Sequence, residues 1–264
     1  MLHCSDRIGS RGGGGGLTTN RKAVVLAAGK GTRLLPLTEK TPKVLIPIGN
    51  RPYILYLLDR LWFAGCRKVA IVIGHLGDQV VATLGTQYRG MELTYLTQER
   101  PTGTADALLL AESFVGNEPF MMTWGDIVNA SANYIRIWQF FRDKKADAVL
   151  LVDYRDDVSP GADVALNEDR VIGIVEKPPG PRPGWNQTGL FVLSPIIFDF
   201  LRQVTPSVRG EREFTDAVQK LVQSGHRVFA LPLSGFAFEL GNKDQLQVLE
   251  RNCALLMDDL SPPS

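Results

Sequence analysis

The segment from 22 to 47, KAVVLAAGKGTRLLPLTEKTPKVLIP, most constrains how this chain can fold. It opens with a short apolar run at 23–28 that a glycine ends at once, which favours a buried strand over a helix. Gly29 and Gly31 let the backbone turn sharply and bring its N–H groups close to an anionic ligand. Three prolines in the remainder exclude one continuous helix. The segment therefore predicts a strand followed by a long irregular loop, and such loops in compact domains are usually functional.

Two common phosphate-binding loops do not fit this segment. A Walker A loop needs Ser or Thr directly after its Gly-Lys pair, and here Gly31 follows Lys30. The dinucleotide fingerprint needs a third glycine, where Leu34 stands, and an acidic residue after the second strand, whereas the run 68–74 is followed by His75. A plain glycine turn between a strand and a loop stays open as the alternative.

Composition and charge narrow the class of protein. With 29 Lys plus Arg against 28 Asp plus Glu, the chain of 264 residues carries almost no net charge and offers no broad basic face for nucleic acid. Its three cysteines are far apart, which fits a reducing cytoplasm and argues against a disulfide scaffold or a zinc site. No apolar run approaches the roughly 20 residues needed to cross a bilayer. We therefore expect a soluble, cytoplasmic protein without a membrane partner.

Strand-like and helix-like segments alternate along the chain. This rhythm predicts an α/β fold, with a doubly wound, largely parallel, Rossmann-like sheet and helices on both faces. Apolar alternation within 163–176 predicts a small β-hairpin. We expect a disordered glycine-rich tail at 1–20, a single domain at 21–257 and a short tail at 258–264.

Late in the chain, the polar stretch 205–211 predicts a loop, expected to be mobile, before a helix at 213–223. A strand at 237–240 comes next, and Asn242 is suited to cap a last helix that runs to about residue 257.

The opening segment carries a family resemblance. With G-x-G-T-R at 29–33, Pro-Lys at 42–43 and Pro47, it resembles the signature of the sugar-1-phosphate nucleotidyltransferases, or NDP-sugar pyrophosphorylases, a family that includes glucose-1-phosphate thymidylyltransferase. Later segments match in the family's order from about residue 21 to about residue 257. The resemblance implies an enzyme that joins a nucleoside triphosphate to a sugar 1-phosphate and releases pyrophosphate, with Mg²⁺ as its cofactor.

Such a reaction needs cations more than it needs a general base. One pair of unit charges about 4 Å apart is worth about 4 kcal/mol at an effective dielectric of about 20, so two polyanionic substrates would repel each other strongly. A phosphate monoester with a second pKa of about 6 is already largely ionised at neutral pH. Catalysis then consists of positioning and charge neutralisation.

The resemblance implies three catalytic cations. Arg33 would hold the β- and γ-phosphates, and Lys43 would reach the phosphate chain near the reacting centre. Lys177, in a Glu-Lys-Pro motif at 176–178, would hold the phosphate of the sugar. As isolated residues, Arg33 and Lys43 would more often be solvated charges, and the motif at 176–178 a charged hairpin end.

The resemblance also implies two carboxylate ligands for a metal ion. Asp126 follows a predicted strand and matches the Asp that binds metal in the family, and carboxylates suit Mg²⁺. The second ligand in most relatives is an aspartate two residues before a glycine. Here Glu239 precedes Gly241 by two residues, and the segment before Glu239 looks one residue shorter than in those relatives. We expect Asp126, also a catalytic residue, and Glu239 to hold the metal.

Substrate contacts follow from the same resemblance. Gln98 and Gly103 would read the nucleobase, because an amide offers both donors and an acceptor and glycine lets a base approach the backbone. The alternative is a plain capped helix start. Glu176 would contact sugar hydroxyls beside Lys177. The remaining predicted substrate-binding residues are Leu26, Ala28, Gly29, Gly31 and Thr32 for the nucleotide, and Gly161, Thr188 and Gly189 for the sugar.

The identity of both substrates stays open at this point. The overall pattern favours dTTP or UTP with a hexose 1-phosphate such as glucose 1-phosphate, while GTP or CTP with another sugar 1-phosphate or a phospho-alcohol is an alternative. A different class, a regulatory or ligand-sensing homologue without catalysis, would be expected to lack one of the catalytic cations or a metal ligand. The expected partners are the two substrates, with no nucleic acid, and a homo-oligomer is left open.

Overall fold

The computed structural model describes residues 20–258. The predicted tails lie outside this range except for Asn20 and Asp258. The strands are β1 (Arg21–Leu26), β2 (Pro47–Ile48), β3 (Arg51–Pro52), β4 (Cys66–Ile73), β5 (Gln87–Tyr88), β6 (Met91–Thr97), β7 (Phe120–Trp124), β8 (Ile127–Asn129), β9 (Ala148–Arg155), β10 (Ala162–Asn167), β11 (Arg170–Glu176), β12 (Gly184–Leu193), β13 (Val228–Pro232) and β14 (Ala237–Glu239). The helices are α1 (Tyr53–Phe63), α2 (Gly77–Leu84), α3 (Thr104–Leu109), α4 (Glu112–Val115), α5 (Ala132–Asp143), α6 (Ile197–Arg202), α7 (Phe214–Gln223), α8 (Lys243–Arg251) and α9 (Cys253–Asp258).

Ten strands form one sheet in the order β10-β11-β13-β9-β12-β7-β1-β4-β6-β5. Among the seven central strands, from β13 to β6, β12 alone runs antiparallel to its neighbours. The predicted largely parallel sheet is confirmed, with one reversed strand. Because the parallel strands end on the same edge, the loops that follow them gather there, which is where open α/β sheets bind ligands.

Both faces of the sheet are covered, as a doubly wound fold requires. Along β1, Ala23 and Val25 are buried in one apolar cluster with α1 and α5, while Val24 is buried in a second cluster with α3, α6 and α7. Strands buried on both faces read as continuous apolar runs rather than as alternating ones. This explains why 23–28 is apolar throughout.

The predicted β-hairpin is present. β10 and β11 pair antiparallel from Ala162 opposite Glu176 to Asn167 opposite Arg170. β10 also pairs with β12, where Asp163 lies opposite Asn186. The hairpin therefore extends one end of the sheet and brings the end of β11 back towards the loops that follow the parallel strands.

The late segments differ from expectation in detail. α7 begins at Phe214, with Glu213 just before it. The side chain of Asn242 caps α8 by accepting a hydrogen bond from the backbone N–H of Gln245 at 2.9 Å. The single helix predicted to about residue 257 is instead two, α8 and α9, which meet at Asn252. The stretch 205–211 is a loop, as predicted. Within residues 20–258 we find no helix long and apolar enough to span a membrane.

Candidate active site

A cavity of about 590 Å³ opens where the central strands end. Segments far apart in sequence meet there, because β1, β6, β7 and β9 all finish at this edge of the sheet. Most of the residues predicted for the site line this cavity: Leu26, Ala28, Gly29, Arg33, Lys43, Gln98, Gly103, Asp126, Gly161, Glu176, Lys177, Thr188 and Glu239. Gly31, Thr32 and Gly189 do not line it.

Gly31 and Gly189 pack against Lys43 and Trp124, two side chains that line the cavity. A Cβ at Gly31, whose φ is +66°, would lie 2.9 Å from a methyl of Thr38 and 3.2 Å from the Cβ of Lys43. A Cβ at Gly189 would lie 2.3 Å from the Trp124 ring. Thr32 opens the short 3-10 turn that carries Arg33. Glycine at these two positions leaves room for Lys43 and Trp124. The substrate contacts predicted for Gly31, Thr32 and Gly189 stay predictions.

The three predicted cationic side chains, Arg33, Lys43 and Lys177, line the cavity together with Arg155. The Lys43 ammonium forms an ion pair with the Asp126 carboxylate, and their side chains are only 13% and 22% exposed. Arg33 is exposed and pairs with no carboxylate among the described residues. Lys177 lies at the end of the hairpin, where its backbone N–H donates to the Gly161 carbonyl at 2.7 Å. Arg33 and Lys177 are therefore available to a polyanionic ligand.

Two carboxylates face the cavity from paired strands. In the β8–β14 pair Glu239 lies opposite Ile127, and the Leu240 N–H donates to the Asp126 carbonyl at 2.8 Å. The side-chain amide of Gln245 donates a hydrogen bond to the Glu239 carboxylate at 3.3 Å and so orients that carboxylate. A Cβ at Gly241 would lie 2.6 Å from the Glu239 carboxylate, so glycine leaves room for it.

The chemistry of this donor set fits Mg²⁺. Carboxylate oxygens are the ligands that Mg²⁺ prefers, and Lys43 shows that a cation is accepted against Asp126. Within residues 20–258, no group of three or more His, Cys, Asp or Glu side chains could hold a metal. A Mg²⁺ ion held by Asp126 and Glu239 would thus take its other ligands from phosphate oxygens or water.

The loop after β6 forms the predicted nucleobase end. The Gln98 amide donates to the Gly103 carbonyl at 3.0 Å, which fixes the side chain across its own loop. Gly103 has φ +118°, a conformation open essentially to glycine alone. The backbone of Arg212 clasps this loop, because its N–H donates to the Thr102 carbonyl at 2.8 Å and its carbonyl accepts from the Ala105 N–H at 2.9 Å.

The predicted sugar end is lined by Glu176. Its carboxylate accepts a hydrogen bond from the Thr215 hydroxyl at 3.1 Å. Burial raises the pKa of Glu176, and the nearby carboxylate of Glu213 raises it further, while Lys177 and the Thr215 hydroxyl partly offset this. Gly161 is needed here for space, because its Cβ would lie 2.2 Å from the side-chain oxygen of Asn186.

Sequence reasoning missed several residues that line the cavity. Trp124 donates its ring N–H to the Gln187 side chain at 3.2 Å, and the same oxygen accepts from the Gly189 N–H at 2.7 Å. Gln187 directly precedes the matched Thr188-Gly189 pair, a signal that could have found it. Glu211, Glu213 and Thr215 also line the cavity. Glu213 contacts residues about a hundred positions earlier, which no local pattern reveals.

Known proteins resemble this chain over most of its length. A glucose-1-phosphate thymidylyltransferase of Streptomyces griseus is 35% identical over 252 residues, covering 91% of this chain and 70% of the relative. The UTP–glucose-1-phosphate uridylyltransferase AglF of Haloferax volcanii is 34% identical over 223 residues, covering 83% of this chain and 91% of the relative.

A solved structure shares the fold. It is a Bacillus anthracis protein in complex with sucrose, provisionally named as a glucose-1-phosphate thymidylyltransferase, which aligns with a TM-score of 0.80 and 31% identity over 90% of this chain and 96% of its own. The family model described as Nucleotidyl transferase matches residues 22–252. With residues of the predicted phosphate-binding segment lining the cavity, the fold shared and the match spanning nearly all of the described residues, this chain belongs to the nucleotidyl transferase family.

Proposed function

We propose that this chain, through a single domain at 21–257, transfers a nucleotidyl group from a nucleoside triphosphate to a sugar 1-phosphate. The observation that carries the proposal is the convergence of the three predicted cations, Arg33, Lys43 and Lys177, on one cavity that is also lined by Asp126 and Glu239. The names of the relatives favour dTTP or UTP with glucose 1-phosphate. The two described cysteines are unpaired, which supports a reducing, cytoplasmic setting.

In the proposed reaction a phosphate oxygen of the sugar 1-phosphate attacks the α-phosphorus in line, and pyrophosphate leaves. Lys177 holds the incoming phosphate and offsets its charge, so that it can approach the triphosphate. Arg33 stabilises the charge that develops on the leaving pyrophosphate. No side chain needs to remove a proton, because the attacking phosphate is already ionised.

Asp126 and Glu239 are the residues that would hold Mg²⁺. A metal ion held there would supply Lewis-acid neutralisation of charge at the α-phosphate. Lys43 lies against Asp126 and is thereby directed at the same part of the cavity. Exchange of Asp126 for an α-phosphate oxygen would put the Lys43 ammonium next to the reacting phosphorus.

The proposed function is tested by pyrophosphate release from ATP, CTP, GTP, UTP and dTTP, each against several sugar 1-phosphates, with Mg²⁺ and with EDTA. We expect a metal-dependent signal with dTTP or UTP and glucose 1-phosphate. A signal only with GTP or CTP would replace the favoured substrates. Silence from the folded protein across all combinations would contradict the reaction and favour a regulatory, ligand-sensing role.

Lys177→Ala is expected to raise KM for the sugar phosphate or lower kcat by at least about tenfold, some 1.4 kcal/mol. The reason is the loss of the cation that neutralises the attacking phosphate. Lys145→Ala is the matched control, because Lys145 is an exposed lysine with the same left-handed φ of +46° but outside the cavity. Steady-state kinetics at subsaturating sugar phosphate measure the effect. Equal rates for the two variants would remove Lys177 from the site.

Glu239→Ala is expected to weaken activation by Mg²⁺ by about tenfold or more, because one of two carboxylate ligands is lost. The measurement is a Mg²⁺ titration of the initial rate at saturating substrates. Glu118→Ala, which removes an exposed carboxylate outside the cavity, serves as control. Identical metal titrations for Glu239→Ala and the parent would mean that another group supplies the second ligand.

A further inference from the structure

Glu213 is a buried carboxylate that the proposed reaction does not use. It is 5% exposed and lines the cavity immediately before α7. Arg209 donates to one carboxylate oxygen at 2.8 Å, and the Thr104 hydroxyl lies 3.4 Å from the other. A carboxylate this deeply buried is rarely retained without partners that compensate its desolvation. Of these two partners, Thr104 also lines the cavity.

Through Thr104, Glu213 contacts the nucleotide end of the site. Thr104 is the first residue of α3 and follows Gly103 of the predicted nucleobase loop. Its hydroxyl also accepts the Phe214 N–H at 2.8 Å. The start of α7 is therefore joined to the start of α3 by two contacts, one to the side chain of Glu213 and one to the backbone of Phe214.

The same turn of α7 contacts the sugar end. Thr215, two residues after Glu213, donates its hydroxyl to Glu176 at 3.1 Å and is 3% exposed. The position of that hydroxyl depends on the first turn of α7, which Glu213 and Thr104 hold in place. One short segment thus contacts the loop predicted to read the base and the carboxylate predicted to bind sugar hydroxyls.

We propose that Glu213 is a positioning residue for the sugar phosphate, which holds the first turn of α7 between Thr104 and the sugar-binding carboxylate of Glu176. This inference rests on the proposed function, because it assigns Glu213 an effect on one of the two substrates. Glu213 acts through Thr215 and through its own charge, and it need not touch either substrate.

The charge of Glu213 has a measurable consequence at Glu176. The charged groups that face Glu176 are Glu213 from the start of α7, Arg209 from the preceding loop, and Lys177 from the end of the hairpin. Glu213 raises the pKa of Glu176, whereas the Thr215 hydrogen bond lowers it. We therefore expect removal of the Glu213 charge to lower the pKa of Glu176, and removal of the Thr215 hydroxyl to raise it.

Glu213→Gln is the first test, because it keeps the size of the side chain and removes its charge. We expect KM for the sugar phosphate to rise by about fivefold while KM for the nucleotide changes less than about twofold. We also measure how sugar-phosphate affinity depends on pH. The acid limb of this profile, where affinity falls as pH falls, should move to lower pH, since Glu176 stays ionised at lower pH. The titration of the sugar phosphate itself is common to both proteins and cancels in the comparison.

Two further variants separate this role from a purely structural one. Thr215→Val should move the same acid limb to higher pH, and Thr215→Ser, which keeps a hydroxyl, should restore the parent profile. Glu118→Gln is the control, because Glu118 is an exposed carboxylate outside the cavity that does not contribute to the pKa shift of Glu176. Its acid limb should coincide with that of the parent.

Carboxyl-carbon NMR of Glu176 in the free protein gives a readout that needs no turnover. A lower pKa for Glu176 in Glu213→Gln, together with the selective rise in KM, supports the proposal. An unchanged Glu176 titration, or an equal rise in both KM values, overturns it. If Glu213→Gln does not fold, the Thr215→Val and Thr215→Ser pair decides in the same way. Absence of turnover in the parent would contradict the proposed function instead.

Discussion

Asp126→Asn is expected to lower kcat/KM by at least about a thousandfold, equivalent to about 4 kcal/mol of transition-state stabilisation. Asparagine keeps the shape of the side chain but loses the charge that would hold Mg²⁺. It also loses the ion pair that directs Lys43 into the cavity. Two groups that neutralise charge near the reacting phosphorus are thus disturbed by one substitution, so this variant should have a larger effect than Lys177→Ala.

Initial rates of pyrophosphate release, measured over a range of Mg²⁺ concentrations, give the effect of Asp126→Asn. Asp143→Asn is the control for loss of a carboxylate, because Asp143 is exposed at the end of α5 and lies outside the cavity. Thermal unfolding of both variants checks that the fold is kept. A loss of less than about tenfold in Asp126→Asn would show that Asp126 does not hold a catalytic metal.

Gly103→Ala is expected to destabilise the protein by at least about 3 kcal/mol and to raise KM for the nucleotide. The added Cβ would lie 2.3 Å from the Arg212 carbonyl oxygen and 2.5 Å from its nitrogen, so the backbone must move. That movement breaks the clasp in which Arg212 holds Thr102 and Ala105. The predicted nucleobase loop would then lose both its shape and its anchor.

Gly180→Ala separates the clash from the cost of an unusual backbone conformation. Gly180 also has positive φ, +75°, but a Cβ there would meet nothing within 4 Å. We expect a loss of about 1 kcal/mol for Gly180→Ala, from backbone strain alone. Urea unfolding compares the two free energies of unfolding. Equal losses would mean that the loop around Gly103 adapts freely, which would contradict the role given to the clasp.

The sequence predicted those parts of the fold and site that depend on local patterns. The run 23–28 predicted a buried strand because strands covered on both faces are apolar throughout. The hairpin within 163–176 was visible in its alternation. The family resemblance assigned Arg33, Gln98 and Asp126 to one site, and the structure brings them together because β1, β6 and β7 end at one edge of the sheet.

What the sequence did not predict depends on contacts between distant segments. The reversal of β12 is set by pairing with β7 and β9 on either side, which its own residues do not encode. The contact between Glu213 and Thr104 joins positions more than a hundred residues apart. Likewise, the packing of Gly31 against Lys43 and of Gly189 against Trp124, where glycine leaves room, follows from contacts that the signature does not show.

The measurement that tests the central claim most directly follows heavy oxygen through one turnover. Sugar 1-phosphate that carries heavy oxygen at its non-bridging phosphate positions is incubated with unlabelled nucleoside triphosphate and Mg²⁺. The masses of both products are then measured by mass spectrometry. Attack of the sugar phosphate on the α-phosphorus predicts an NDP-sugar that retains all of the label and a pyrophosphate that carries none. Label in the pyrophosphate, or pyrophosphate formed without any labelled NDP-sugar, would contradict the proposed reaction.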